Sequence, residues 1–106
     1  MLAKKYRLPV QIALQKRYRS LKSPYFLVKV LPNEAGYSRF GVVVSKKTAK
    51  KAVDRNRLKR AVYDLAGTYK DDISVGDYII SILPPVASLS KEELRSEFLK
   101  LYGIIL

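Results

Sequence analysis

Hydrophobic and polar positions recur in this chain with two periods, one typical of strands and the other of helices. Residues 25–31 alternate with a period of two, and residues 39–45 form a second strand-like run, R-F-G-V-V-V-S. Turn-forming residues at 32–36 connect the two runs, so the pattern predicts an antiparallel hairpin. Residues 77–83 are rich in apolar β-formers and predict a buried strand that stops at Pro84.

Helical spacing marks two segments in the first two thirds of the chain. The first covers about residues 10–20, where apolar side chains repeat after Pro9, a residue that suits the first helical position. The second begins at Asp54, whose carboxylate can accept hydrogen bonds from the first turn, and ends near Gly67. We interpret the basic segment before Asp54 as a loop or an irregular first turn.

A third helix opens near the end of the chain. Ser90 and Glu93 have the spacing of a capping box, and the residues that follow repeat an apolar stripe at 94, 98 and 101. The order of elements is then helix, hairpin, helix, strand, helix. That order predicts an α+β layer sandwich in a single domain, residues 1–106, with the second helix packed on one face of a sheet.

The second predicted helix and the segment before it carry an unusual concentration of positive charge. Residues 46–60 contain eight Lys or Arg side chains and one acid, Asp54. Residues 1–60 carry 17 basic and two acidic side chains, whereas residues 61–106 carry four and seven. A run of Lys and Arg on a helix is most often only a solvated face, but acidic partners one helical turn away are almost absent here. The imbalance favours a polyanion-binding site.

Helical geometry divides this segment into two sides. At about 100° per residue the side chains that face a core are those of Leu58, Ala61, Val62 and Leu65. The opposite side presents Asn56, Arg57, Arg60 and Tyr63, with Arg55 and Lys59 at its borders. One side of the helix can therefore pack on a sheet while the other holds cations in solvent.

Composition excludes several classes of chemistry. The chain has no cysteine and no histidine, which removes disulfides, thiolate chemistry, Ser-His-Asp triads and the usual zinc sites. The candidate metal-binding carboxylates, Asp71, Asp72 and Asp77, lie in the acidic part of the chain, away from the cations. The residues thus favour a binding protein over an enzyme with its own active site.

The lengths of the apolar runs indicate whether the chain could cross a membrane or carry a signal peptide. No apolar run approaches the roughly 20 residues that cross a bilayer, and the first residues lack the apolar core of a signal peptide. We therefore expect a cytoplasmic protein without a membrane partner. With an isoelectric point of 10.0, the first candidate partner is nucleic acid and the second is an anionic membrane surface.

The run K-A-V-D-R-N-R-L-K-R at 51–60, preceded by K-K at 46–47, resembles the signature of the bacterial ribonuclease P protein subunit. Further landmarks follow in the family's order over nearly the whole chain. These are R-L at 7–8, F-G-V-V-V-S-K-K at 40–47, D-Y-I-I at 77–80 and S-L-S-K-E-E-L at 88–94.

The resemblance implies a fold and a function. The fold would be an αβββαβα two-layer sandwich with a mixed sheet, of the kind found in domain 2 of ribosomal protein S5. The hydrophobic pattern itself marks three strands and leaves out the family's short additional strand. In this family a catalytic RNA removes the 5′ leader of precursor tRNA with Mg²⁺, which acts through the RNA. The protein binds that RNA and the leader, with no obligate protein partner evident.

The resemblance also assigns residues. The RNA-binding set would be Lys46, Lys47, Lys50, Lys51, Arg55, Asn56, Arg57, Lys59 and Arg60. A cleft for the leader would be lined by Arg7, Leu14, Arg17, Tyr18 and Lys29. Tyr18 matches an aromatic on which a base could stack, whereas Leu14 and Lys29 stand where aromatic residues are common in the family.

Two other interpretations remain open at this point. A ribosomal or general RNA-binding protein would bind RNA without affecting tRNA processing. A basic domain at anionic membranes is less favoured, since no exposed amphipathic face places large apolar residues beside the cations.

Overall fold

The structure is a computed structural model that describes residues 4–8, 19–32 and 35–105. Within these residues four strands form one mixed sheet: β1 (Arg19–Lys22), β2 (Phe26–Leu31), β3 (Arg39–Val44) and β4 (Asp77–Ile82). Their spatial order is β1-β2-β4-β3, in which β1 and β4 are antiparallel to β2 and β3 is parallel to β4. The helices α1 (Ala52–Tyr69) and α2 (Lys91–Ile105) complete the α+β fold.

The short first strand corrects the end of the helix predicted over about 10–20, and the rest of that helix stays a prediction. Arg19 and Ser20 belong to β1, while residues 9–18 lie outside the described part of the chain. The Ser23 hydroxyl accepts hydrogen bonds from the backbone N–H groups of Tyr25 and Phe26, at 3.3 and 3.1 Å. This side-chain turn reverses the chain and pairs β1 with β2, which supplies the extra strand that the pattern did not mark.

The predicted hairpin between residues 25–31 and 39–45 is wrong. Both segments are strands, but β4 lies between them and pairs with each. Five of the six residues of β4 are buried, so this strand takes the central place, where both of its faces are covered. The connection from β3 to β4 passes through α1 and makes those two strands parallel.

Helix α1 is longer than predicted at both ends. It begins at Ala52, after Lys51 in an extended conformation, so Asp54 lies in the first turn and does not cap the helix. Val53, in the first turn, is 60% exposed. The helix continues through Gly67 to Tyr69, since Ala66 is buried and Tyr69 packs on the same core. The end predicted near Gly67 is therefore too early.

The main core lies between one face of the sheet and the two helices. Phe26 and Val28 from β2 belong to one hydrophobic cluster with Val62 and Ala66 from α1, and each of these four side chains is almost fully buried. The stripe predicted for α2 joins the same cluster through Leu94, Phe98 and Leu101. On the other face of the sheet Leu8, Leu31 and Ile79 form a smaller cluster. Both helices thus cover one face, as the two-layer prediction requires.

The capping box predicted for α2 is confirmed. The backbone N–H of Ser90 donates to Glu93 Oε1 at 2.9 Å, and the N–H of Glu93 donates to Ser90 Oγ at 3.1 Å. Two contacts lower the pKa of the Glu93 carboxyl below its ordinary value. The hydrogen bond from the Ser90 N–H has the larger effect, and the hydrogen bond with the Ser90 side chain has the smaller one.

We expect Ser90→Ala to lower the free energy of unfolding by about 1 kcal/mol at neutral pH, as measured by urea denaturation. Ser96→Ala, on the exposed middle of the same helix, is the matched control and should not destabilise the protein.

The capping box also makes stability depend on pH. Because the pKa of Glu93 is lower in the folded protein, the stabilisation by its carboxylate is present above the unfolded-state pKa and is lost as pH falls through the folded-state pKa. Glu93→Gln should therefore weaken the acid dependence of stability, and an unchanged dependence would contradict this account.

Candidate nucleic-acid interface

The basic loop between β3 and α1, residues 45–51, has a buried anchor. Thr48 is 6% exposed, and its hydroxyl donates to the carbonyl of Ile82, at the end of β4, over 2.9 Å. The side chains of Lys46, Lys47, Lys50 and Lys51 are all exposed around it. Sequence reasoning missed Thr48, although a hydroxyl inside a run of cations was the available signal. The anchor fixes the loop backbone while its lysines extend into solvent.

Arg55 fastens this loop to the first turn of α1. Its Nη1 donates to the carbonyls of Ala49 and Lys50, at 2.9 and 2.7 Å. The side chain is half-buried, so part of its hydrogen-bonding capacity is used within the protein. Arg55 therefore holds the shape of the predicted RNA-binding segment, and its contact with RNA stays a prediction.

The outward side of α1 carries the other residues of the predicted RNA-binding set. Asn56, Arg57 and Arg60 are exposed, and Lys59 is half-buried. The ion pairs found among the described residues join Arg39 to Asp77, Lys70 to Asp71 and Lys100 to Glu97, and none of them involves a cation of residues 46–60. Carboxylates of the described residues thus do not neutralise these positive charges through ion pairs.

Tyr63 lies on the side of α1 where helical geometry placed it, beside Asn56, Lys59 and Arg60, but it is not exposed. The side chain is half-buried and packs against the main core, and its hydroxyl accepts a hydrogen bond from the Val42 N–H at 3.2 Å. Val42 lies on β3, whose outer edge is not paired with another named strand. The sequence could not predict this partial burial, because it depends on the hydrogen bond with Val42, which is distant in the chain.

Arg7 comes from the N-terminal segment and reaches the same helix. Its guanidinium carbon lies 5.6 Å from the centre of the Tyr63 ring, within the range of a cation–π interaction. Arg7 and Tyr63, with Asn56, Lys59 and Arg60, line a pocket of about 260 Å³. Side chains separated by half the chain thus form one concave, cationic site.

The residues predicted for the leader cleft are only partly described. Leu14, Arg17 and Tyr18 lie outside the described residues. Lys29 is half-buried on β2, beside Ser20 of β1 and Ile79 of β4, and alternation turns it away from the face that α1 covers. The structure therefore places Arg7 beside α1 and Lys29 on the other face of the sheet, and their shared role in a leader cleft stays a prediction.

The described part of the chain shows neither a cluster of metal-binding side chains nor a membrane-spanning helix. In it, no three acidic side chains lie close enough together to form a candidate metal site. No helix there is both long enough and apolar enough to traverse a bilayer. The predicted candidate Asp77 is 2% exposed and forms a two-pronged ion pair with Arg39, at 2.9 and 2.7 Å.

A family model described as Ribonuclease P matches residues 11–105. The chain belongs to the ribonuclease P protein family. A ribonuclease P protein component from Desulforapulum autotrophicum is 38% identical over 93 residues, covering 86% of this chain and 78% of the relative. One from Azoarcus sp. is 34% identical over 85 residues, with coverage of 80% and 71%.

Solved structures of ribonuclease P proteins share the fold. A Staphylococcus aureus ribonuclease P protein, a mutant with defective mRNA degradation activity, superposes with a TM-score of 0.87 at 26% identity, covering 95% of this chain and 88% of that one. The Thermotoga maritima ribonuclease P protein gives 0.82 at 30% identity, with coverage of 94% and 97%. These matches confirm the predicted resemblance and fold class, and they place the chain in tRNA processing as a component of ribonuclease P.

Proposed function

We propose that this ribonuclease P protein binds the ribonuclease P RNA through the basic loop 45–51 and the outward side of α1. It thereby assists the RNA in removing the 5′ leader of precursor tRNA in the cytoplasm. The observation that carries the proposal is a group of exposed cations, fixed by Thr48 and Arg55 and free of ion pairs within the described chain.

The chemistry of these side chains suits an RNA backbone. Arginine offers a planar set of donors that fits two phosphate oxygens, and lysine offers a mobile point charge. Each phosphate that they neutralise releases condensed counterions, which makes binding favourable at low salt and weaker at high salt. A loop that is already ordered loses less conformational entropy on binding than a flexible one would.

The proposed division of labour leaves bond cleavage to the RNA. Mg²⁺ acts through the RNA subunit, and the protein holds the RNA and the leader of the substrate. The chain has no histidine and no cysteine to serve as a general base or nucleophile, which supports a binding role. For the leader we keep the set predicted from the sequence, namely Arg7, Leu14, Arg17, Tyr18 and Lys29.

Reconstitution with a bacterial ribonuclease P RNA tests the proposal. Precursor tRNA cleavage is measured at low Mg²⁺ with RNA alone, protein alone and both together. We expect cleavage to be fastest with both components and undetectable with protein alone. Binding of the RNA without faster cleavage would favour the general RNA-binding interpretation, and no stimulation of a cognate RNA would refute the proposed function.

A further inference from the structure

The N-terminal segment containing Arg7 is held along the free edge of β3. Arg7 forms a parallel bridge with Phe40, and the Leu8 N–H donates to the Phe40 carbonyl at 2.8 Å. Leu8 is 7% exposed and packs with Leu31 and Ile79 on the face of the sheet opposite α1. Because neighbouring side chains of an extended segment point to opposite faces, burial of Leu8 directs Arg7 toward α1.

Tyr63 presents a fixed surface to that side chain. Its hydroxyl is tied to the Val42 N–H on β3, and its ring packs against the main core. The ring therefore has little freedom to turn away from Arg7, whose guanidinium carbon lies 5.6 Å from the ring centre. Arg7 is itself exposed, and this ring contact limits the orientations of its guanidinium.

We propose that Tyr63 is a positioning residue, which holds the Arg7 guanidinium beside Asn56, Lys59 and Arg60. Arg7 from the N-terminal segment and the cations of α1 then engage the same stretch of RNA backbone. The inference rests on the proposed function, in which Arg7 belongs to the predicted leader set, and adds a contact between Arg7 and the ribonuclease P RNA. It also groups Arg7 with the surface of α1.

The physical reason lies in the entropy of a long side chain. A free arginine loses rotamer freedom when it binds a phosphate, and that loss subtracts from affinity. A ring that already orients the guanidinium removes part of this loss before RNA arrives. Tyr63 carries no charge, so replacing it can alter the salt dependence of binding only by changing how the cations engage the RNA.

The test measures affinity for a bacterial ribonuclease P RNA over a range of salt concentrations. The variants are Arg7→Ala, Tyr63→Leu and the two combined. Arg7→Ala should lower affinity about tenfold at low salt and flatten the plot of log affinity against log salt by slightly less than one unit. Tyr63→Leu should flatten it to a similar extent although no charge is removed, and the double variant should be no weaker than Arg7→Ala.

Tyr69→Leu is the matched control, since Tyr69 is also half-buried on α1 but is its last residue and does not line the pocket, and this variant should keep the wild-type slope. If circular dichroism shows that Tyr63→Leu does not fold, Tyr63→Met replaces it, because methionine fills similar space without a π face. Losses that multiply in the double variant, or a wild-type slope for the folded Tyr63 variant, would overturn the inference. A wild-type protein that does not bind the RNA at all would instead refute the proposed function.

Discussion

Replacing Arg57 and Arg60 together by alanine is expected to lower the affinity for ribonuclease P RNA about a hundredfold at low salt, because each loses a charge-assisted hydrogen bond to the RNA backbone. Both side chains are exposed on α1, and neither forms an ion pair within the described residues. The slope of log affinity against log salt should fall by between about 1.4 and 1.8, which corresponds to two phosphate contacts. The measurement is a titration of labelled RNA at several salt concentrations.

The control removes the same charge from another surface. Lys91 and Lys100 are exposed on α2, and their double replacement by alanine gives the same change in net charge. We expect that control to keep the wild-type slope and most of the affinity. Equal losses in the two double variants would mean that net charge alone governs binding and would contradict a localised site on α1.

The second large effect concerns stability. Phe26→Ala should lower the free energy of unfolding by about 3–5 kcal/mol, because it removes a large buried side chain and leaves a cavity. Phe26 has no exposed surface, and its ring meets that of Phe98 edge to face, with 6.4 Å between centres. Thermal and urea unfolding in the absence of RNA measure the loss, which is a large part of the roughly 5–15 kcal/mol typical of a domain.

Phe26→Leu keeps most of the buried volume and should lose clearly less than the alanine variant. Val53→Ala provides an exposed comparison, since Val53 is 60% exposed in the first turn of α1, and this change should stay within about 0.5 kcal/mol. A Phe26→Ala protein as stable as the Val53→Ala one would show that the sheet and the helices do not share the core described above.

Local patterns accounted for most of the elements. Alternation marked β2, an apolar run marked β4, and the spacing of Ser90 and Glu93 marked the start of α2, because each of these signals lies within a few residues. The apolar side of α1 was confirmed by the burial of Val62 and by the partial burial of its neighbours. Where neighbouring residues decide a structure, the sequence alone was sufficient.

Contacts between distant segments explain what was missed. The hairpin prediction failed because β4, which comes after α1 in the chain, lies between β2 and β3. Strand β1 has only four residues with little burial, and the Ser23 turn, not a hydrophobic pattern, determines its pairing. The partial burial of Tyr63 was missed because its partners, Arg7 and Val42, are far away in sequence. Pairing and docking of this kind cannot be derived from the periodicity of one segment.

Lysine reactivity in the RNA complex tests the central claim most directly, because each lysine of the chain reports on its own surroundings. The protein is acylated with and without bound ribonuclease P RNA, and each modified lysine is quantified by mass spectrometry. We predict that the RNA protects Lys46, Lys47, Lys50 and Lys51 of the basic loop and leaves Lys91 and Lys100 of α2 reactive. Protection of the α2 lysines with a reactive basic loop would contradict the assignment of the RNA-binding surface.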